Sequence, residues 1–247
     1  EIEFDWLDCP ILYLDATARQ SVAERWLGQM GSWFDARASA PNMQVVQVHD
    51  RQFGYRSLII RDDEAEDIKA TARANQRRIA GLLPVLAASA GGPGLLVGPK
   101  AMLRQMDLAG LIPADWMKAT FGALRGVDSF GDVPVAVIVS RTLPPPAEVE
   151  RMAAVAFARN VGTVSEDWYG YRAGARLMKD GTGAHASLVQ HHDDLVEAVR
   201  WLCCEAEVQQ ALGRVRGVRR TDANPVLVLV LSDVDLGEAA VDELVDW

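Results

Sequence analysis

Cysteine and positive charge are both scarce in this chain of 247 residues. The three cysteines, Cys9, Cys203 and Cys204, show neither disulfide nor zinc-ligand spacing, which excludes a disulfide-stapled scaffold and fits reduced thiols in a cytoplasmic protein. Cys203 and Cys204 are neighbours in a stretch that reads as helix, so their side chains diverge by about 100°. No run approaches the ~20 apolar residues that a membrane-spanning helix needs. The N-terminus, Glu1-Ile2-Glu3-Phe4-Asp5, is acidic and lacks an initiator Met. That is the wrong charge for a signal peptide, and it suggests a piece of a longer protein. Lys and Arg number 25 against 34 Asp and Glu, a net charge of −9. The chain therefore lacks the overall basic excess usual in a freestanding nucleic-acid-binding domain. There is no internal repeat and no low-complexity linker.

What is present is ordinary globular material, 49% hydrophobic and 24% charged, sufficient for a sizeable core. Residues 10–15 (PILYLD) read as a short strand and 16–27 as a helix. Residues 42–49 (NMQVVQVH) read as a second strand, and 52–60 as a strand or a loop. A long helix is expected from 63 to 90, with Ile79, Leu82, Leu83 and Leu86 on its buried face. Gly91-Gly92-Pro93-Gly94 stops it. A compact strand at 95–97 leads into a helix at 100–107, with Pro99 suited to its start. Residues 133–140 (VPVAVIVS) are apolar throughout, as in a central parallel strand covered on both faces. A helix at 147–158 follows Pro144-Pro145-Pro146. The aromatic and Gly-rich stretch 161–192 predicts a β-hairpin insertion near 174–190 that turns at Asp180-Gly181-Thr182-Gly183. A helix from 193 to 212 and a buried strand at 226–231 (VLVLVL) complete the chain. Alternating helices and apolar strands predict an α/β fold with a mainly parallel sheet flanked by helices.

The arginines are clustered: Arg214, Arg216, Arg219 and Arg220 lie within seven residues. They end a helix, in the pattern Gln210-Ala-Leu-Gly213-Arg214-Val-Arg216. A Gly lets backbone bend closely against a neighbour, and an oriented Arg beyond it can reach a transferring phosphoryl group across an interface. Arg suits that task because its planar fork stays charged and pairs bidentately with phosphate oxygens. The plainer alternative is a basic helix end, favourable at the negative pole of the helix.

Gln210-x-x-Gly213-Arg214-x-Arg216 resembles motif VI of the superfamily 2 helicases. That resemblance implies a C-terminal RecA-like motor domain spanning 1–247, with residues 1–90 as an N-terminal portion and 91–247 as the sheet core with a hairpin insertion at 161–192. It implies that Gln210 contacts nucleotide or an interdomain seam and that Arg214 leads as arginine finger. The family commonly places a second Arg three residues after the first, where this chain has Gly217, so the role falls to Arg216 or Arg219. Arg125-Gly126-Val-Asp128 is similar to motif V, with Gly126 and Asp128 at the nucleotide and Arg125 at nucleic acid. Leu14-Asp15-Ala16-Thr17 is similar to motif III, with Asp in place of Ser, and implies a nucleic-acid role for Thr17; a simple helix cap reads as well. Gly94-Leu-Leu-Val-Gly-Pro-Lys100 resembles the strand that opens the second RecA-like domain, with Lys100 on a DNA phosphate.

No Gly-x-x-x-x-Gly-Lys-Ser/Thr loop and no Asp-Glu box appear anywhere. ATP and Mg²⁺ are therefore expected to be shared with an N-terminal RecA-like domain of the same protein, with DNA, or RNA, as the track. The rival reading is a non-catalytic RecA-like scaffold. A weaker one is a metal-dependent nuclease built on His191-His192-Asp193-Asp194 with His185, although Asp193 also suits a helix N-cap. His49-Asp50 reads as a strand end rather than half of a catalytic pair. Trp168, Tyr169 and Tyr171, with Arg172 and Arg176, present either a base-stacking surface or a cover for the sheet edge.

Overall fold

The computed structural model describes residues 10–29, 31–36, 38–124, 126–165 and 168–247. Six strands form one sheet in which every pairing is parallel: β1 (Met43–Val48), β2 (Leu95–Gly98), β3 (Met117–Thr120), β4 (Val135–Val139), β7 (Val226–Leu231) and β8 (Glu243–Val245). Their spatial order is β3-β2-β4-β7-β1-β8. Between β4 and β7 the chain inserts an antiparallel hairpin, β5 (Gly170–Leu177) and β6 (Gly183–Gln190). The layered α/β architecture expected of a RecA-like domain, hairpin included, is the one observed.

The central strands are the apolar runs. All five residues of β4 are buried, because helices cover both faces of the sheet. On one face Val45, Val97, Ile138, Val228 and Val230 meet Val208, Ala211 and Leu212 of α7 (Glu205–Arg214). On the other, Leu96, Val137, Val139 and Leu231 meet Ile79 and Leu83 of α3 (Glu66–Ala90) and Met102 and Met106 of α4 (Lys100–Leu108). A third cluster packs α5 (Pro146–Phe157) and α6 (Asp194–Cys203) against the base of the hairpin. The hairpin turn forms where expected: Gly181 takes φ +85°, and Asp180 accepts hydrogen bonds from the Thr182 amide and hydroxyl.

Several expectations are corrected. Residues 10–15 form no strand, because no sheet neighbour reaches them among the described residues; Leu12 and Leu14 are 82% and 81% exposed. The helix read at 16–27 is α1 (Gln20–Leu27), because Asp15 instead holds Thr17 in a side-chain turn. Residues 52–60 hold one helical turn, α2 (Tyr55–Leu58). The edge strands β3 and β8 were not expected. The single helix read from 193 to 212 is two, α6 and α7, broken at Cys204 (φ −109°, ψ −80°). The buried Arg200 guanidinium spans the break, joining Glu197 of α6 to Glu205, the first residue of α7. Among the described residues, no helix is long and apolar enough to cross a membrane.

Candidate functional site

The second half of α7 is the meeting point of segments far apart in the sequence. Glu207, Gln210 and Arg214 lie at i, i+3 and i+7, so they share one helix face. Glu207 accepts from the Gly122 amide at 2.7 Å, just after β3. Gln210 donates to the Thr17 hydroxyl at 3.3 Å, across 193 residues of sequence. Arg214 Nη1 donates to the Val127 carbonyl at 3.1 Å. One face of α7 therefore grips the loop after β3 at Gly122 and at Val127, and the 15–17 turn between these two contacts.

Beyond the helix the chain reverses. Arg216 takes the left-handed conformation, φ 53° and ψ 45°, and its guanidinium ion-pairs with Asp128. The hydrogen bond from Arg216 is the main cause holding the Asp128 carboxyl below its usual range, aided by the charges of Arg216, Arg219 and Arg214. Gly217 is buried, and a Cβ there would lie 2.8 Å from Met43 Sδ and 3.1 Å from Ala40 Cβ. No arginine fits at 217 without displacing Met43 and Ala40. Arg219 is exposed, and its side chain has no hydrogen-bond or ion-pair partner among the described residues. Arg220, the fourth of the cluster, is structural: buried, it donates to the carbonyls of Val215 and Val133 and to Asn224 Oδ1.

These contacts fix the place of the cluster in the fold. Gly217 touches Met43, the first residue of β1, and Arg220 reaches Val133, just before β4. The arginines therefore lie at the amino-terminal edge of the sheet. Lys100 lies at the opposite edge, exposed on the first turn of α4 where β2 ends, so the structure does not bring it to the arginine cluster. Arg125 lies outside the described residues.

The glycines act differently from the sequence expectation. Gly213 is exposed, and nothing lies within 4 Å of where a Cβ would stand, so close packing does not require it. Within this chain the tight position is Gly217. Gly126 is also open, and its φ of +74° shows that the turn, not crowding, selects glycine there. Thr17 is 5% exposed and its hydroxyl lies between Asp15 and Gln210, which makes it a joint between segments rather than a surface contact.

Arg214 is half-buried. Its Nε is buried without a hydrogen-bond partner, so the guanidinium keeps an unused donor. Asp128 is two-thirds exposed, and solvent screens an ion pair so open, so Arg216 is readily released from it. The cluster can present two guanidinium groups to an anion approaching the amino-terminal edge.

The other candidate groups resolve into structure. Asp193 caps α6, accepting from the Leu195 and Val196 amides and from Gly162. His191 is buried, with Nδ1 accepting from the Asp193 amide and Nε2 3.2 Å from Glu150. Among the described residues no group of three or more His, Cys, Asp or Glu is placed to hold a metal ion. His49 pairs with Asp246 at 3.2 Å, just after β1 ends. Sequence reasoning missed the buried polar group at the carboxyl ends of β4 and β7, where Arg141 pairs with Asp233 at 3.3 Å and Arg176 donates to the Asp233 carbonyl. It also missed Glu207, which the i, i+3, i+7 spacing would have exposed. Compared with known proteins, the chain matches no family model, no curated protein and no solved structure.

Proposed function

We propose that this chain is the C-terminal half of an ATP-dependent nucleic-acid helicase or translocase, a cytoplasmic protein acting on DNA, or alternatively RNA. The observation that carries this reading is the convergence of Gln210, Arg214 and Arg216 with Thr17, Val127 and Asp128 on one helix end. Three of the four sequence elements that resemble the helicase family are far apart in the chain and adjacent in space. In this reading a preceding RecA-like domain holds ATP and Mg²⁺ and supplies the nucleophile-positioning groups. Arg214 is the finger that stabilises charge on the transferring phosphoryl group, Arg216 or Arg219 assists, and Gly126 and Asp128 face the nucleotide. Lys100, on the other edge, belongs to the nucleic-acid track. The run Ile11–Leu14, with Leu12 and Leu14 about four-fifths exposed, is an apolar surface that a neighbouring domain would cover in this reading.

One observation favours a second reading, a non-catalytic RecA-like scaffold. Arg214 and Arg216 already have partners within the chain, Val127 and Asp128. The test is DNA-stimulated ATP hydrolysis by the full-length protein beside this chain alone. Activity only in the full-length protein, with kcat reduced about 10³-fold or more by Arg214→Ala, is the expected result. An unchanged kcat removes Arg214 from the reaction, and no hydrolysis by either protein favours the scaffold.

A further inference from the structure

At the base of the hairpin, distant in sequence from the arginine cluster, lies a cavity of about 440 Å³. That volume is in the range of small-ligand sites. Its walls are rings. Trp168 and Tyr171 line it while 41% and 51% exposed, and His192 completes the set from the loop after β6. These rings rest on a rigid floor. Tyr169 is buried, donates its hydroxyl to the Pro144 carbonyl at 2.7 Å, and meets Trp168 edge-on at 5.6 Å. His192 stacks on His191 at 4.5 Å and 24°. His191 in turn is fixed by Glu150 and the Asp193 amide.

Two further features bear on what the cavity holds. Gly170 lines it and places no side chain in the space beside Tyr171. Gln190, paired with Gly170 across the hairpin, contributes an amide that has no side-chain hydrogen bond among the described residues. An amide offers one donor and one acceptor edge, the complement of a nucleobase edge. Besides Trp168 and Tyr171, the hydrogen-bonding side chains among the described lining residues are those of Thr163, Ser165, Gln190, His191 and His192, which suit the edge of a planar ring.

We propose that this cavity binds an unpaired nucleobase, stacked on Trp168 and Tyr171 and read at its edge by Gln190. The expectation that the base arrives in a single strand rests on the motor reading; the base-binding chemistry does not. A free nucleotide offers the same ring, and the two sources are separated by titrating the 247-residue protein, without ATP, with fluorescein-labelled oligo-dT of about 12 nucleotides and with dTMP and AMP. Stacking on one aromatic ring is worth roughly five- to a hundredfold in affinity per base. Trp168→Ala and Tyr171→Ala should each weaken oligo-dT binding at least about fivefold, Trp168→Phe should restore most of it, and Gly170→Val should block the cavity with both rings in place. Binding of the mononucleotides alone, with the same dependence on Trp168, keeps the base site and assigns it to a free nucleotide. Equal oligo-dT affinity in wild type and Trp168→Ala, or no binding of any of the three probes, overturns the proposal. Because the readout needs no hydrolysis, a loss of ATPase on mutating Arg214 leaves it untouched, and the reverse holds.

Discussion

The break between α6 and α7 decides where the arginine-bearing face points, and it rests on one buried cation. Arg200 is 1% exposed and donates through Nε and Nη2 to both oxygens of Glu197, at 2.7 and 2.8 Å, and through Nη2 to Glu205 Oε1 at 2.9 Å. Burial by itself would lower the Arg200 pKa; the Glu197 hydrogen bond and the charges of Glu205 and Glu197 outweigh it and push the value up. Arg200→Met keeps most of the stem volume and removes the charge. Glu197 remains 22% exposed and still accepts from the His191 amide, but Glu205, at 4%, is left as an unpaired buried carboxyl. Breaking a buried pair on one side costs about 3–5 kcal/mol. For a chain of this size each kcal/mol lowers Tm by roughly 2–4 °C, so the expected loss is about 6–20 °C. Calorimetry of wild type, Arg200→Met and the double variant Arg200→Met/Glu205→Leu measures it. The double variant should recover a substantial part of the loss, because the stranded carboxyl is gone. A single variant within ~1 kcal/mol of wild type, or a double variant that loses still more, would refute the claim that this cation holds the joint.

Two further substitutions probe the same region and its cap. Gly217→Ala must push against Met43 and Ala40 at the amino-terminal end of β1, and overpacking of this kind costs about 1–3 kcal/mol in urea unfolding; a neutral substitution would mean that the Arg216–Gly217 turn shifts freely. Asp193→Ala removes the cap of α6 and should cost about 1–2 kcal/mol at neutral pH. The hydrogen bond from the Gly162 amide leads in lowering the Asp193 pKa, so the stabilisation is complete above its ordinary value of 3.8 and is lost as pH falls through the lower folded-state value. The gap between wild type and Asp193→Ala should therefore close in acid; a gap unchanged down to about pH 2 would contradict the assignment.

The sheet was legible where strands are apolar on both faces, as in Val135–Val139 and Val226–Leu231. It was illegible at its edges. Met117–Thr120 has two exposed and two half-buried residues, and Glu243–Val245 is only three residues long, so neither carries the two-sided apolar signature. The opposite error arose at residues 10–15, whose apolar run reads as a strand while the described chain offers it no sheet. The α6–α7 break escaped notice because neither Gly nor Pro marks it. It is a tertiary effect, set by the Arg200 contacts with Glu197 and Glu205 rather than by local propensity. At the site, the basic cluster and its Gln were visible as residues, but their partners were not. Val127 acts through a carbonyl, which no side-chain pattern advertises, and Asp128 lies 88 positions from the arginine it pairs with.

The position of the arginines also bears on how they work. In open parallel sheets, ligands bound by a domain's own loops settle at the carboxyl ends of the strands. Here that edge carries Lys100 and the buried Arg141–Asp233 pair, whereas Arg214 and Arg216 stand at the amino-terminal edge, beside the starts of β1 and β4. An anion held in this chain's own carboxyl-end crevice would lie a strand's length away from them. Five residues of strand, the length of β4, span about 16 Å, beyond the reach of an arginine side chain. The cluster is therefore placed to meet an anion that approaches the amino-terminal edge from outside, not one held in that crevice.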